Sequence, residues 1–132
     1  MTVESNLPKE SSLVEVSEET KALVESEMPD ETNEIKQETM ALIEAIKTKA
    51  QSETQKAGEF TREKYLEAIR SVREEVEKMN FNPDRISDSM RLMQKEIEKD
   101  WDALVKQVAE LGDRLNDAAK AAWDALTAPR NQ

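Results

Sequence analysis

Apolar residues recur at seven-residue intervals over 90–125. Met90, Ile97, Leu104, Leu111, Ala118 and Ala125 form one row, and Trp101, Val108, Leu115 and Ala122 form a second. Two such rows turn one face of a helix toward a helical partner along its whole length. A second seam lies just upstream in Tyr65, Ile69, Val72, Val76 and Met79. The chain is therefore read as all-α, built from side-by-side helices rather than around a folded pocket.

Composition sharpens this reading. Of 132 residues, 37% are apolar and 36% are charged, and only five are aromatic, so a two-row seam is expected rather than a thick core. Such a fold is elongated or oligomeric. Cysteine and histidine are both absent, which removes thiolate chemistry, the commonest general base and the commonest metal ligand. No phosphate-binding glycine loop, GxSxG elbow or HExxH helix occurs. No catalytic, cofactor-binding or metal-binding residue is assigned, no cofactor is expected, and the chain is read as not an enzyme.

Carboxylates do recur at helical spacing, as Glu63 with Glu67, Glu96 with Asp100, and Asp113 with Asp117. Dimetal bundles use such pairs together with histidines, and here Lys64, Arg70, Lys95, Lys99 and Arg114 sit at neighbouring spacings instead. The pattern is read as a solvated salt-bridge surface.

Charge is unevenly distributed. Residues 1–34 hold ten acidic and two basic residues, a net of −8 out of −10 for the chain. This excess disfavours nucleic acid and anionic membrane surfaces and favours a protein partner. The first residues show neither a basic segment nor an apolar run, and no stretch approaches the roughly 18 apolar residues of a membrane span. A cytoplasmic protein is expected.

Three regions follow. Residues 1–33 read as a disordered acidic arm. Within it, a short helix over 12–27 that forms on binding is the alternative, because Ser12 and Glu15 have capping-box spacing and Leu13, Val16, Leu23 and Val24 share a face. Residues 34–128 form the helical body, with helices at about 34–57, 61–79 and 83–127, and 129–132 form a tail. Over 47–59 only Ala50 and Ala57 are apolar, so a thin or solvent-bridging segment is expected there.

Leu42 and Tyr65 lie two residues beyond three heptads apart, which favours one continuous helix over 34–79 carrying a kink. The alternative is a break at Gly58, with Thr61 capping a new helix. Asn82 and Pro83 mark the clearest boundary, as cap and first helical residue. The two arms flanking it are each about 45 residues, or about 68 Å if helical. They predict an antiparallel coiled-coil-like hairpin, with 47–59 lying beside 111–125, or a three-helix bundle if the first arm folds back at Gly58.

The seam residues are Tyr65, Ile69, Val72, Val76, Met79, Met90, Ile97, Trp101, Leu104, Val108, Leu111 and Leu115. Trp123 lies among small residues that cannot enclose an indole, so it joins Leu126, Leu13 and Val16 as a candidate partner contact. The Ala-bearing amphipathic helices resemble in general character the phasins that coat polyester granules, and also apolipoprotein-like and desiccation-response helical proteins. This likeness of composition and periodicity implies an amphipathic coat on a granule, lipid or membrane surface. The first expectation is a helical interaction, scaffold or regulatory protein acting through coiled-coil self-association and its acidic arm. The partner is another protein, a second copy of the chain, or both.

Overall fold

A computed structural model describes residues 16–127. Over these residues the protein is all-helical, with no strand. The helices are α1 (Glu18–Glu27), α2 (Asn33–Lys56), α3 (Arg62–Glu77), α4 (Pro83–Leu111) and α5 (Arg114–Thr127). The candidate cap at Ser12 and the candidate contact Leu13 lie outside the described residues.

Each of the first four helices starts on a side chain that accepts a free backbone N–H. Ser17 accepts from Thr20 N, Thr32 from Ile35 N, Thr61 from Lys64 N and Asn82 from Asp84 N. Thr61 and the Asn82–Pro83 pair are caps that the sequence announces. The helix in the acidic arm is narrower than the 12–27 span, starting after Ser17 and ending at Glu27, where Met28 caps it.

The long arms are divided. Helix α2 ends at Lys56, and Gly58 takes φ +90, a conformation that glycine adopts without a Cβ penalty. The two seams flanking this point therefore meet through a turn, not through a kinked continuous helix over 34–79. In the second arm Gly112 stops α4 with φ 52 and ψ −129, and Asp100 (φ −133, ψ 40) interrupts the helix within. Beyond Gly112 the buried row becomes Leu115, Ala119, Ala122 and Leu126, a helical face shifted from the heptad phase. Ala118 is exposed, and Leu111 and Ala125 are half-buried.

Helix α2 is the hub, packing against all four other helices. Residues 39–48 are buried on every side, as a helix must be when neighbours surround it. The core joins Leu42, Ile43 and Ile46 of α2 to Val24 of α1, Tyr65, Ile69, Val72 and Val76 of α3, and Leu92, Ile97, Leu104 and Val108 of α4.

The expectation for 47–59 as a thin or solvent-bridging segment is corrected over its first half. Lys47, Thr48, Ala50, Gln51, Ser52 and Thr54 are all buried. Their small or locally bonded side chains make this affordable. Thr48 donates to Glu44 O at 2.7 Å, Thr54 donates to Ala50 O at 2.7 Å, and Ser52 donates to Asn116 Oδ1. Helix α5 runs back along this half of α2, with Ser52 beside Asn116 and Lys49 over Trp123. The Ala-rich face of α5 permits the close approach.

Candidate interaction groove beneath the first helix

Helix α1 presents a narrow buried stripe at four-residue intervals. Thr20, Val24 and Met28 are buried, while Leu23 and Val16 are half-buried. The stripe lies in a groove between α2 and α4, the two helices on which α1 packs.

Beneath the stripe sits a charged pair. Glu44 and Lys47, three residues apart on α2, are buried with Oε1 and Nζ 3.8 Å apart. The Thr20 hydroxyl joins them, donating to Glu44 Oε1 at 2.8 Å and accepting from Lys47 Nζ at 2.9 Å. Ser17 adds its backbone N–H at 3.3 Å and its hydroxyl at 3.2 Å, both donated to Glu44 Oε1. A buried charge needs this degree of satisfaction, since an unpaired one is costly. Here much of it comes from another helix.

Two further ionisable groups face the cluster. Glu96 of α4 is half-buried and its carboxyl is raised above the ordinary range. Burial is the main cause, and Glu44, Asp100 and Glu19 reinforce it while Lys47 opposes it. Tyr65 of α3 is buried, and its phenol is held far above its ordinary range by burial first and by the charge of Glu96 second. Gln51 acts in the other direction. The phenol remains protonated and serves as a neutral hydrogen-bonding group.

The C-terminal end of α1 is fastened by charge at its rim. Lys36 Nζ of α2 meets Glu25 at 2.8 Å, and Lys95 Nζ of α4 meets Glu27 at 2.9 Å. The Lys95 contact holds the Glu27 carboxyl below its ordinary range, outweighing the opposing effect of desolvation.

Among the described residues, packing around α1 leaves gaps on its α4 side and at its N-terminal end. A cavity of about 310 Å³ separates α1 from α4, between Leu23 and Ser26 on one wall and Lys99, Ala103 and Leu104 on the other. A second, of about 300 Å³, opens at the N-terminal end of α1 between Ser17, Lys47, Gln107 and Arg114. A third, of about 620 Å³, shares Ser17, Glu44, Thr48 and Leu111 with the second and continues over Val16 and the alanines 118, 121 and 122 of α5. Together these form a cleft that passes from a charged end to an apolar one.

The structure places the sequence-derived seam residues within one chain. Tyr65, Ile69, Val72, Val76, Ile97, Leu104, Val108 and Leu115 are buried, and Met79, Met90, Trp101 and Leu111 are half-buried. Trp101 is enclosed by its own chain, stacked on Phe60 at 5.6 Å, tilted against Tyr65 at 6.0 Å and approached by Arg62 at 5.6 Å. Trp123 is half-buried, and Lys49 Nζ lies 4.1 Å above its ring while also meeting Glu75 at 3.2 Å. A cation thus covers the indole face that small residues leave open. Leu126 is buried, and Val16 lines the third cavity.

The pair at the centre of the groove is absent from the sequence-derived set. Its signal is Glu44 and Lys47 set in and beside an apolar run, Ala41-Leu42-Ile43-Glu44-Ala45-Ile46. A helix with so little polar surface there must bury its few charges together.

Of the carboxylate pairs, Glu63, Glu67, Asp100, Asp113 and Asp117 are exposed. Among the described residues no cluster of three or more His, Cys, Asp or Glu is arranged to hold a metal ion, and no helix is long and apolar enough to cross a membrane. No protein-family model, curated protein or solved structure matches the chain.

Proposed function

We propose that the protein is a cytoplasmic, non-enzymatic helical interaction protein whose recognition surface is the α2–α4 groove and the cleft continuing from it. The observation that carries this reading is the Glu44–Lys47 pair, because a buried charge pair satisfied by hydroxyls of a separate short helix is a recognition device. Apolar residues in its place would give equal or greater stability but would not discriminate between helices. Self-association through the heptad seams is not needed, since Ile97, Leu104 and Val108 are covered by the chain's own helices. The partner is therefore another protein.

The coat reading requires the bundle to open onto an apolar surface. Opening would uncover Leu42 and Ile46 and would take the buried Glu44–Lys47 pair away from its hydroxyl partners on α1. The experiment is partition with neutral lipid or polyester particles, read by Trp101 and Trp123 emission. The expected result is no partition, an unshifted spectrum and unchanged helicity. Saturable partition with a blue shift would replace the interaction reading with the coat.

A further inference from the structure

We propose that α1 is a displaceable ligand of its own α2–α4 groove. The groove's external partner is then an acidic amphipathic helix with a Ser or Thr followed by two apolar residues at four-residue intervals. The choice of an external partner rests on the interaction reading above, whereas the release of α1 does not.

The stripe of α1 defines the chemistry. Thr20, Val24 and Met28 are the side chains that it buries, one per turn, on a single face. The first position must carry a hydroxyl, because it has to donate to Glu44 and accept from Lys47 at once. An aliphatic residue there removes the bridge between the two groups and leaves them only Ser17 and each other. The second and third positions are apolar and unbranched or short enough to enter the core beside α2. The rim takes acid at two positions, where Lys36 and Lys95 receive Glu25 and Glu27, while Lys99 on the α4 side is flanked by Glu96 and Asp100. Charge complementarity thus selects a helix with acidic residues at those two positions, and basic residues there are repelled.

Displacement is favoured by how α1 is held. The helix has ten residues, too few to be stable alone in water. It packs on α2 and α4, as α3 and α5 also do, but it is the shortest of the described helices. Among the described residues, cavities border it on the α4 side and at its N-terminal end, which leaves gaps in its packing there. Its tether, Pro29 to Thr32, is exposed and leads directly to the cap of α2, so α1 can leave without unwinding α2. A competing helix with the same stripe and better flanks would fill the cavities that α1 leaves.

The test uses the full chain. In the wild type, hydrogen exchange should show α1 amides from Lys21 to Met28 protected less than those from Ile43 to Ala50 by roughly a hundredfold or more. Equal protection would make α1 an integral part of the fold and overturn the proposal. The Val24→Asp variant should keep the helicity of α2 to α5 and bind a fluorescein-labelled peptide of residues 16–31. The wild type should bind it about tenfold more weakly or worse, because its tethered α1 competes at high effective concentration.

A T20V peptide, or a V24D chain also carrying Lys36→Glu and Lys95→Glu, should lose most of that binding. A folded V24D chain that ignores the peptide, or binds a scrambled peptide of equal charge as well, overturns the groove. Cooperative loss of the whole bundle in V24D does so too. A wild-type dimer in sedimentation that exchanges α1 between copies would make the occupant a second copy and overturn the external partner. Partition onto lipid particles, with the exchange difference intact, would remove the interaction reading and leave α1 release standing.

Discussion

Lys47 Nζ stands 2.9 Å from Thr20 Oγ1, and that same hydroxyl donates to Glu44 Oε1 at 2.8 Å. A hydroxyl from α1 therefore bridges an ion pair of α2 whose own separation is 3.8 Å. The pair is not self-sufficient, and this fixes how substitutions within it rank. Lys47→Met leaves Glu44 buried without its countercharge and should cost about 3–5 kcal/mol. Thr20→Val removes only the bridge and should cost about 1–3 kcal/mol. The double change Glu44→Leu with Lys47→Met should be close to neutral, because similar-volume apolar residues need no partner. Urea midpoints of the three variants check the order, and a double variant less stable than Lys47→Met would contradict it.

Glu96 gives the bundle a pH dependence of defined sign. Its carboxyl is raised above the ordinary 4.5 mainly by burial, with Glu44, Asp100 and Glu19 adding repulsion and Lys47 opposing. A raised carboxyl means that the folded state binds the proton more tightly than the unfolded state does. The stability it contributes is complete below pH 4.5 and is lost as pH rises through the folded value. Glu96→Gln should remove this loss and raise the urea midpoint at pH 7. Glu27 runs the other way, since Lys95 holds it below 4.5. Its contribution is present above that value and disappears as pH falls, so Glu27→Gln should flatten the acid side alone. Unfolding curves between pH 3 and 8 separate the two effects, and an Glu96→Gln midpoint that follows the wild type throughout would refute the first.

The glycines at the two breaks should respond through backbone conformation and not through crowding. A Cβ built at Gly58 or Gly112 meets nothing within 4 Å, yet both residues have positive φ. Gly58→Ala should cost about 1–2 kcal/mol as a left-handed residue. Gly112→Ala should cost about 1–3 kcal/mol, because its ψ of −129 lies outside the left-handed helical well as well. Thermal unfolding measures both. A neutral Gly112→Ala would mean that α4 and α5 can join into the single helix over 83–127 that the heptad rows describe.

Much of the frame is written locally. Thr61, Asn82 and Pro83 cap helices where their chemistry says they should, and Tyr65, Ile69, Val72 and Val76 fall on one buried face. Periodicity reports one face per helix, and this is why the burial of residues 39–48 on every side of α2 escaped it. A helix buried on all sides has no stripe, so Thr48, Gln51, Ser52 and Thr54 resemble a solvated surface although their hydroxyls and amide are buried. Glu44 and Lys47 were hidden by the same logic, since their partners lie 24 and 27 residues away on α1. The phase change at Gly112 was visible as a glycine, but the direction that the chain takes after it depends on α2 and is not local.

Val108 and Leu111 separate the two architectures directly. As neighbours on an intermolecular heptad seam, either one changed to Asp should abolish assembly to a similar degree. In the bundle they are not equivalent: Val108 is 4% exposed in the core, while Leu111 is half-buried and lines the cleft beside Val16. Val108→Asp places an unpaired charge in the buried core and should unfold the chain. Leu111→Asp points into the cleft, where water can reach the carboxylate, and should leave helicity intact at a cost of about 1 kcal/mol, a typical value for a single substitution. Circular dichroism and sedimentation of both variants measure the difference. Equal loss of helicity, with a wild type that sediments as an oligomer, would restore the seam between chains.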